Sequence, residues 1–353
     1  MSKPPRWSID MAAMTGRAIA LWLAVAASAS AAPPTPQDAL HAAGPQAAHI
    51  GDLWNFTLGL CTLVFVLVLG ACLVALWRAP KVPQRTAPDM TSLAQPERRV
   101  HRVVGWGVGV SIVGLLALLA ADVFTSRALA RLPLRDAVNI ELVGHQWWWE
   151  ARYQYDDPSK NFVTANELHI PVGRPVVITL RSNDVIHSLW VPNLHGKRDL
   201  IPGRTAVLRF QADKPGTYRS QCAEFCGLEH AMMALLVVAE PSSVYEAWAM
   251  HQNASATPPA DALAQRGQQV FQGKTCVMCH TVSGTEAQGK FGPDLTHLAG
   301  RSTIAAGMFP NNRGHLGGWI ADPQSLKPGV NMPSNALEPD DLQALLAYLE
   351  TLK

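Results

Sequence analysis

The chain has 353 residues, 48% of them hydrophobic, and a formal net charge of +2. That length leaves room for two globular domains besides any membrane spans. With 29 basic against 27 acidic residues it lacks the basic excess that a nucleic-acid partner calls for, so no such partner is expected.

Residues 1–32 carry Lys3, Arg6 and Arg17, then an apolar stretch from Ala18 to about Ala27. Small residues follow, with an Ala-x-Ala at Ala29–Ala31, the pattern of a secretory signal peptide and its cleavage site. Residues 33–135 read as a transmembrane hairpin, with spans at about 53–77 and 103–124. Each run can cross a hydrocarbon core of about 30 Å at about 1.5 Å per residue. A buried core helix is the alternative for either. Trp54, Trp77 and Trp106 stand near the ends, where aromatic belts form. The intervening loop holds Arg78, Lys81, Arg85, Arg98, Arg99 and Arg102 against Asp89 and Glu97, a bias that marks it as cytoplasmic. Two crossings then put everything after about residue 126 on the outer face of the membrane. Cys61 and Cys72, inside the first run, have no partner signature and read as small apolar residues.

Residues 136–242 read as all-β. Short strand-like runs (VNIEL, HQWWWEARYQY, PVVITL, TAVLRF, TYRSQ, ALLVVAE) alternate with turn residues such as Pro171, Gly173, Pro202, Gly203, Pro215 and Gly216. Strands at this spacing suggest a sandwich or barrel. In the run Trp147-Trp148-Trp149, strand alternation sends Trp147 and Trp149 to one side and Trp148 to the other. Core packing and interfacial anchoring compete with any functional role for each of them.

Residues 222–233 read CAEFCGLEHAMM and hold Cys222, Cys226, His230 and Met233, with His187 upstream in DVIHSLWVP. One Cys, two His and a weak axial Met is the ligand set of a blue-copper site. Cys222 is a surplus thiolate beyond that set. Two thiolates on one short loop can bridge two copper ions with one His on each, so the loop reads as dinuclear. A zinc site leaves the Met idle and has the wrong spacing for a finger. A Cys222–Cys226 disulfide explains neither His nor the Met.

These residues resemble the CuA loop of cytochrome c oxidase subunit II, whose pattern C-x-E-x-C-x3-H-x2-M is met by Cys222, Glu224, Cys226, His230 and Met233. The resemblance implies a Greek-key cupredoxin sandwich as host. It implies that Glu224 binds one copper through its backbone carbonyl and turns its carboxylate to a magnesium ion at the border with subunit I. It also implies that Trp147 is an exposed aromatic where electrons come in. The run LHGKRDLIPGR at 194–204 resembles the family too, with Lys197, Asp199 and Arg204 at an interface. The family's acidic residue near the start of the second span, tied to proton uptake, has no clear match; Glu97 stands a few residues too early.

Residues 243–262 are expected to be a linker, its last dozen positions (HQNASATPPADA) small, polar and Pro-bearing. Residues 263–353 hold CVMCH at 276–280, the attachment signature of a c-type haem, with Cys276 and Cys279 as thioether sites and His280 as proximal ligand. GQQVFQG before it, and FGPDLTHLAGR, NMPS and the helix-like DDLQALLAYLETL after it, resemble an all-α class I bacterial cytochrome c. Pro293 resembles the proline whose carbonyl holds the other nitrogen of the haem His. Met308 and Met332 both follow the motif; Met332, before Pro333 and shortly ahead of the final helix, is the favoured distal ligand.

Taken together the chain resembles subunit II of a caa-type terminal oxidase with a fused cytochrome c. The resemblance implies an oxidoreductase that takes electrons from a cytochrome c type donor through covalent haem c and dinuclear CuA. Subunit I, with subunit III beside it, reduces dioxygen to water and pumps protons. This chain has no multi-His cluster for that last chemistry.

Overall fold

The computed structural model describes residues 37–79 and 98–353. The expected signal peptide, the loop charges Lys81, Arg85 and Asp89, and Glu97 lie outside the described residues. Two long helices come first, α1 (Pro45–Arg78) and α2 (Arg98–Leu129). At 34 and 32 residues each is about 50 Å long, more than a bilayer core needs. Helix α1 starts with proline in its first turn and stops just before Pro80, whose ring disfavours helix in the residue ahead of it. Hydropathy marks only the apolar middle of each helix, which is why both run past the expected spans. Their most apolar windows are entirely unburied, and Leu67, Val103 and Leu115 face outward. Faces of that kind belong in lipid, and the pair is a membrane-spanning hairpin.

The N-terminal end of α1 is fixed to the domain that follows. Ala43 N donates to Asn193 O at 2.8 Å and Asp213 N to Ala43 O at 2.7 Å. Gly44 sits so close to Gln211 that a Cβ would lie 2.0 Å from its carbonyl oxygen.

Ten strands follow: β1 (Val138–His145), β2 (Trp148–Gln154), β3 (Phe162–Ala165), β4 (Glu167–Pro171), β5 (Pro175–Ser182), β6 (His187–Trp190), β7 (Arg198–Leu200), β8 (Ala206–Gln211), β9 (Gly216–Cys222) and β10 (Ala234–Glu240). They form two five-stranded sheets, ordered β3-β2-β1-β5-β8 and β4-β10-β9-β6-β7. Only β1–β5 and β4–β10 pair in parallel; the other pairs are antiparallel. Alternate side chains of both sheets meet in one core that includes Ile140, Leu142, Trp149, Ile178, Leu180, Leu189, Phe210 and Val237. This is the expected cupredoxin-like sandwich.

Helix α3 (Ser242–Gln252) occupies the first half of the expected linker. Tyr245 is buried, its hydroxyl 2.9 Å from that of Tyr155, and Trp248 stacks on His169 at 4.1 Å between ring centroids. Its apolar residues do not form one long stripe, and the helix is held by these aromatics. The connection left between domains is residues 253–261.

The C-terminal domain contains α4 (Ala262–Gly273), α5 (Cys276–Cys279), α6 (Arg313–Ala321), α7 (Pro323–Leu326) and α8 (Pro339–Leu349). A ribbon of β11 (Thr303–Ile304) and β12 (Phe309–Pro310) is added to the expected all-α set. Helices α4 and α8 cross at Gly267, where a Cβ would stand 1.9 Å from Ala344 O, so no other residue fits without parting them. Phe271, Leu345, Leu346, Tyr348 and Leu349 fill the core beside that crossing.

Candidate copper and haem centres

The loop after β9 gathers the soft donors. Cys222 and Cys226 are both buried, and their sulfurs lie 3.7 Å apart, far beyond the ~2.05 Å of a disulfide. Cys222 Sγ lies 3.9 Å from His187 Nδ1 and 3.2 Å from the carbonyl oxygen of Glu224. Cys226 Sγ lies 3.7 Å from His230 Nδ1 and 3.9 Å from Met233 Sδ. Donor atoms of His187, Cys222 and Cys226 fall within 4.8 Å of one another, the one such cluster of His, Cys and acidic donors among the described residues.

Strand pairing explains the convergence. His187 begins β6, and Leu189 of that strand is opposite Cys222 at the end of β9. The backbone then turns back, with Cys222 N donating to Met233 O at 2.9 Å and Ala223 N to Ser188 O at 2.9 Å. His187 is fully buried; its Nε2 pairs with Asp184 Oδ1 at 2.8 Å, which leaves Nδ1 turned to Cys222. Burial works against a charged imidazole there, but the contacts with Asp184 and Cys222 outweigh it and raise the His187 pKa. The neighbouring Cys226 pulls the Cys222 thiol well below the ordinary thiol range, against burial, and His187 adds to the pull. Cys226 is pushed up by Cys222 and by burial. The pocket thus favours at least one thiolate, the form that binds metal.

Glu224 points two ways. Its carbonyl faces Cys222, while its carboxylate lies 3.7 Å from Lys197 Nζ at the surface. Asp199 accepts from the Ser188 hydroxyl at 2.8 Å, next to His187.

Trp147 departs from expectation. It is 7% exposed rather than open, and it precedes β2 in a corner that begins at a cis Gln146–Trp147 peptide. Its Nε1 donates to Cys226 O at 3.0 Å, and Gln146 Nε2 donates to the same carbonyl at 2.8 Å. Gly227 permits the approach: its φ is +116°, and a Cβ there would lie 2.9 Å from Trp147 Cζ2. Trp147 and Trp149 are the buried pair and Trp148 stacks on His145 at 4.4 Å, so the two sides of the triplet follow strand alternation. Gln146 was not legible as a site residue, because a polar residue before an aromatic run carries no motif.

In the C-terminal domain Cys276 and Cys279 bracket α5 as free thiols. His280 Nδ1 lies 2.7 Å from Pro293 O, as the sequence suggests, which leaves Nε2 for a metal. Burial lowers the His280 pKa, keeping the imidazole in its neutral, ligating form. Gly292 packs on that ring: a Cβ would lie 2.7 Å from Cε1. These donors fit a covalently held haem, and the buried sulfur and imidazole donors of the sandwich fit copper. Met332 is half-buried in the loop between α7 and α8, its carbonyl accepting from Gln324 Nε2 at 2.8 Å. Met308 lies in the β11–β12 turn, whose Ala306 and Gly307 carbonyls accept from Ala234 N and Arg219 Nη1 of the sandwich at 3.0 and 2.9 Å.

Comparison with known proteins agrees with this layout. Residues 154–240 match the family described as cytochrome c oxidase subunit II, periplasmic domain, and residues 264–353 match cytochrome c. A cytochrome c oxidase subunit 2 from Alkalihalophilus pseudofirmus is 35% identical over 322 residues, covering 89% of this chain and 90% of that one. A second, from a Bacillus species, is 31% identical over 267 residues, covering 70% and 73%. The solved periplasmic domain of cytochrome oxidase subunit II of Bradyrhizobium japonicum covers 34% of this chain and 95% of its own, with 28% identity and a TM-score of 0.32. With its two membrane helices, its sandwich of soft metal donors and its haem-attachment helix, the chain belongs to the cytochrome c oxidase subunit II family, fused to a C-terminal cytochrome c domain.

Proposed function

We propose that this chain is the electron-input subunit of a proton-pumping haem–copper oxidase, carrying electrons from a cytochrome c type donor by way of covalent haem c and a dinuclear CuA centre to subunit I. Dioxygen is reduced to water in subunit I, and subunit III completes the assembly. The sandwich and the cytochrome domain stand on the periplasmic face. The observation that carries this reading is the pair of buried thiols 3.7 Å apart, each with its own histidine within 4 Å. A mononuclear site has no use for the second thiol.

His187, Cys222, Glu224 through its carbonyl, Cys226, His230 and Met233 would hold the copper pair. Cys276 and Cys279 would hold the haem, with His280 and Met332 as axial ligands. The bound groups supply reversible one-electron chemistry. The protein's part is to keep donors still in both oxidation states. His187 is fixed by Asp184, Cys222 and Cys226 by strand pairing and by the Gln146 and Trp147 hydrogen bonds, and His280 by Pro293. A rigid frame of this kind limits rearrangement when charge changes. Engagement of the Met308 turn with the sandwich supports Met332 as the distal ligand. The placement of the Glu224 carboxylate at the surface supports a magnesium site shared with subunit I.

The test is the copper-to-haem ratio of the full chain purified in detergent after copper loading. Two coppers per haem is the expected result. One copper would mean a mononuclear site, and none would remove the oxidase role from this loop.

A further inference from the structure

The C-terminal domain meets the sandwich at the copper-ligand loop. Lys327, just after α7, is 1% exposed, and its Nζ donates to Trp147 O at 3.1 Å. A buried ammonium is costly unless it is paired. Burial lowers its pKa to about 8, and the carboxylate of Glu229 works against that fall. Glu229 is itself buried, and its Oε2 has no hydrogen-bond partner among the described residues. Four residues on, Asn331 Nδ2 donates to Gln146 O at 2.7 Å. Gln324 Nε2 holds the loop between them by Val330 O at 2.6 Å and Met332 O at 2.8 Å. Gly329, at φ +92°, lets the loop lie on Leu228, where a Cβ would be 2.8 Å from Cδ1.

A second contact lies apart from this one. Glu167 accepts from the Ser302 amide at 2.9 Å and from its hydroxyl, and the Ala306 and Gly307 carbonyls take the donors described above. Ala305 and Ala306 have φ of 55° and 58°, an unfavourable region for alanine that persists where surrounding contacts over-determine it. The docked arrangement is therefore built into both domains.

We propose that Lys327 and Asn331 are positioning residues that clamp the Met332 loop onto the Gln146–Trp147 corner, making the fused domain the fixed electron donor to the Cys226 side of the copper site and closing Trp147 to outside donors. The assignment rests on the ligand roles given above to Met332 and Cys226. Two relays join the loops: Asn331 to Gln146 to Cys226 O, and Lys327 to Trp147 to Cys226 O. With both groups bound, each passage would move one electron, lost on the cytochrome side and gained on the sandwich side, with no proton exchanged.

The test uses the full chain in detergent with Lys327→Met and the isosteric Asn331→Asp, which loses the Nδ2 donor at an exposed position. In the cofactor-free chain, hydrogen exchange at residues 146–149 should speed up at least tenfold in each variant while β5 and β9 stay protected. In the loaded chain, haem reduction by soluble cytochrome c should be unchanged, and haem-to-copper transfer after flash reduction should slow at least tenfold. Asn331→Gln, which keeps the donor, should recover part of that rate. Unchanged exchange at 146–149 in both variants would overturn the clamp, whatever the cofactors do. Lost protection with an unchanged transfer rate would overturn the positioning role. If the chain takes up no copper, the reading of the loop fails, and the exchange experiment still judges the clamp.

Discussion

Gly144→Ala tests how tightly the copper pocket is built around His187. Gly144 lies in β1, paired with Trp149 on one side and Ser182 on the other, and its carbonyl accepts from Asn183 N at 3.0 Å. The backbone is held on both sides and cannot retreat. A Cβ there would stand 2.8 Å from His187 Cδ2 and 3.0 Å from Cγ. Ordinary contact begins near 3.4 Å, so the imidazole must yield by about 0.6 Å. It cannot do so without straining the 2.8 Å pairing with Asp184 and moving Nδ1 relative to Cys222. Overpacking of this kind costs about 1–3 kcal/mol. If copper binding bears all of it, affinity falls roughly 5- to 140-fold, at about 1.4 kcal/mol per tenfold. Copper titration of the full chain followed by absorbance and electron paramagnetic resonance measures this, with a melt of the copper-free chain as the second reading. Wild-type affinity, spectrum and melting together would refute the argument that Gly144 is there to make room for His187.

Other outcomes follow from the same geometry. Cys222→Ser should abolish the dinuclear copper spectrum while leaving haem content unchanged; an intact copper pair would refute the bridging role. Met332→Ala should keep the haem attached but change its optical spectrum and potential, and Met308→Ala should not; the reverse pattern would exchange their roles. Glu150 is partly buried, which by itself raises its pKa, but hydrogen bonds with His145 and Arg152 win and hold it down at about 2. A depressed carboxylate contributes stability that is present above its unfolded pKa and lost as pH falls. Thermal stability of the copper-free chain should therefore decline between about pH 4.5 and pH 2, and Glu150→Gln should flatten that decline. An equal slope in the variant would show that Glu150 is not the group responsible.

The sequence by itself determined the chemistry. Cys222, Glu224, Cys226, His230 and Met233 share one loop, and Cys276, Cys279 and His280 lie in and just after one short helix, so their spacing is local and readable. The spans were legible because about twenty apolar residues have few uses outside lipid. Tertiary structure decided what surrounds these groups. Helix α3 is held by the stacking of Trp248 on His169, a contact no local pattern announces. Trp147 lies in the sandwich core, and its carbonyl is reached by Lys327, 180 residues later. Gly144 matters only because β1 runs past His187. Ligand identity is written in neighbouring residues, whereas burial and docking depend on distant segments whose meeting is settled only when the whole chain has folded.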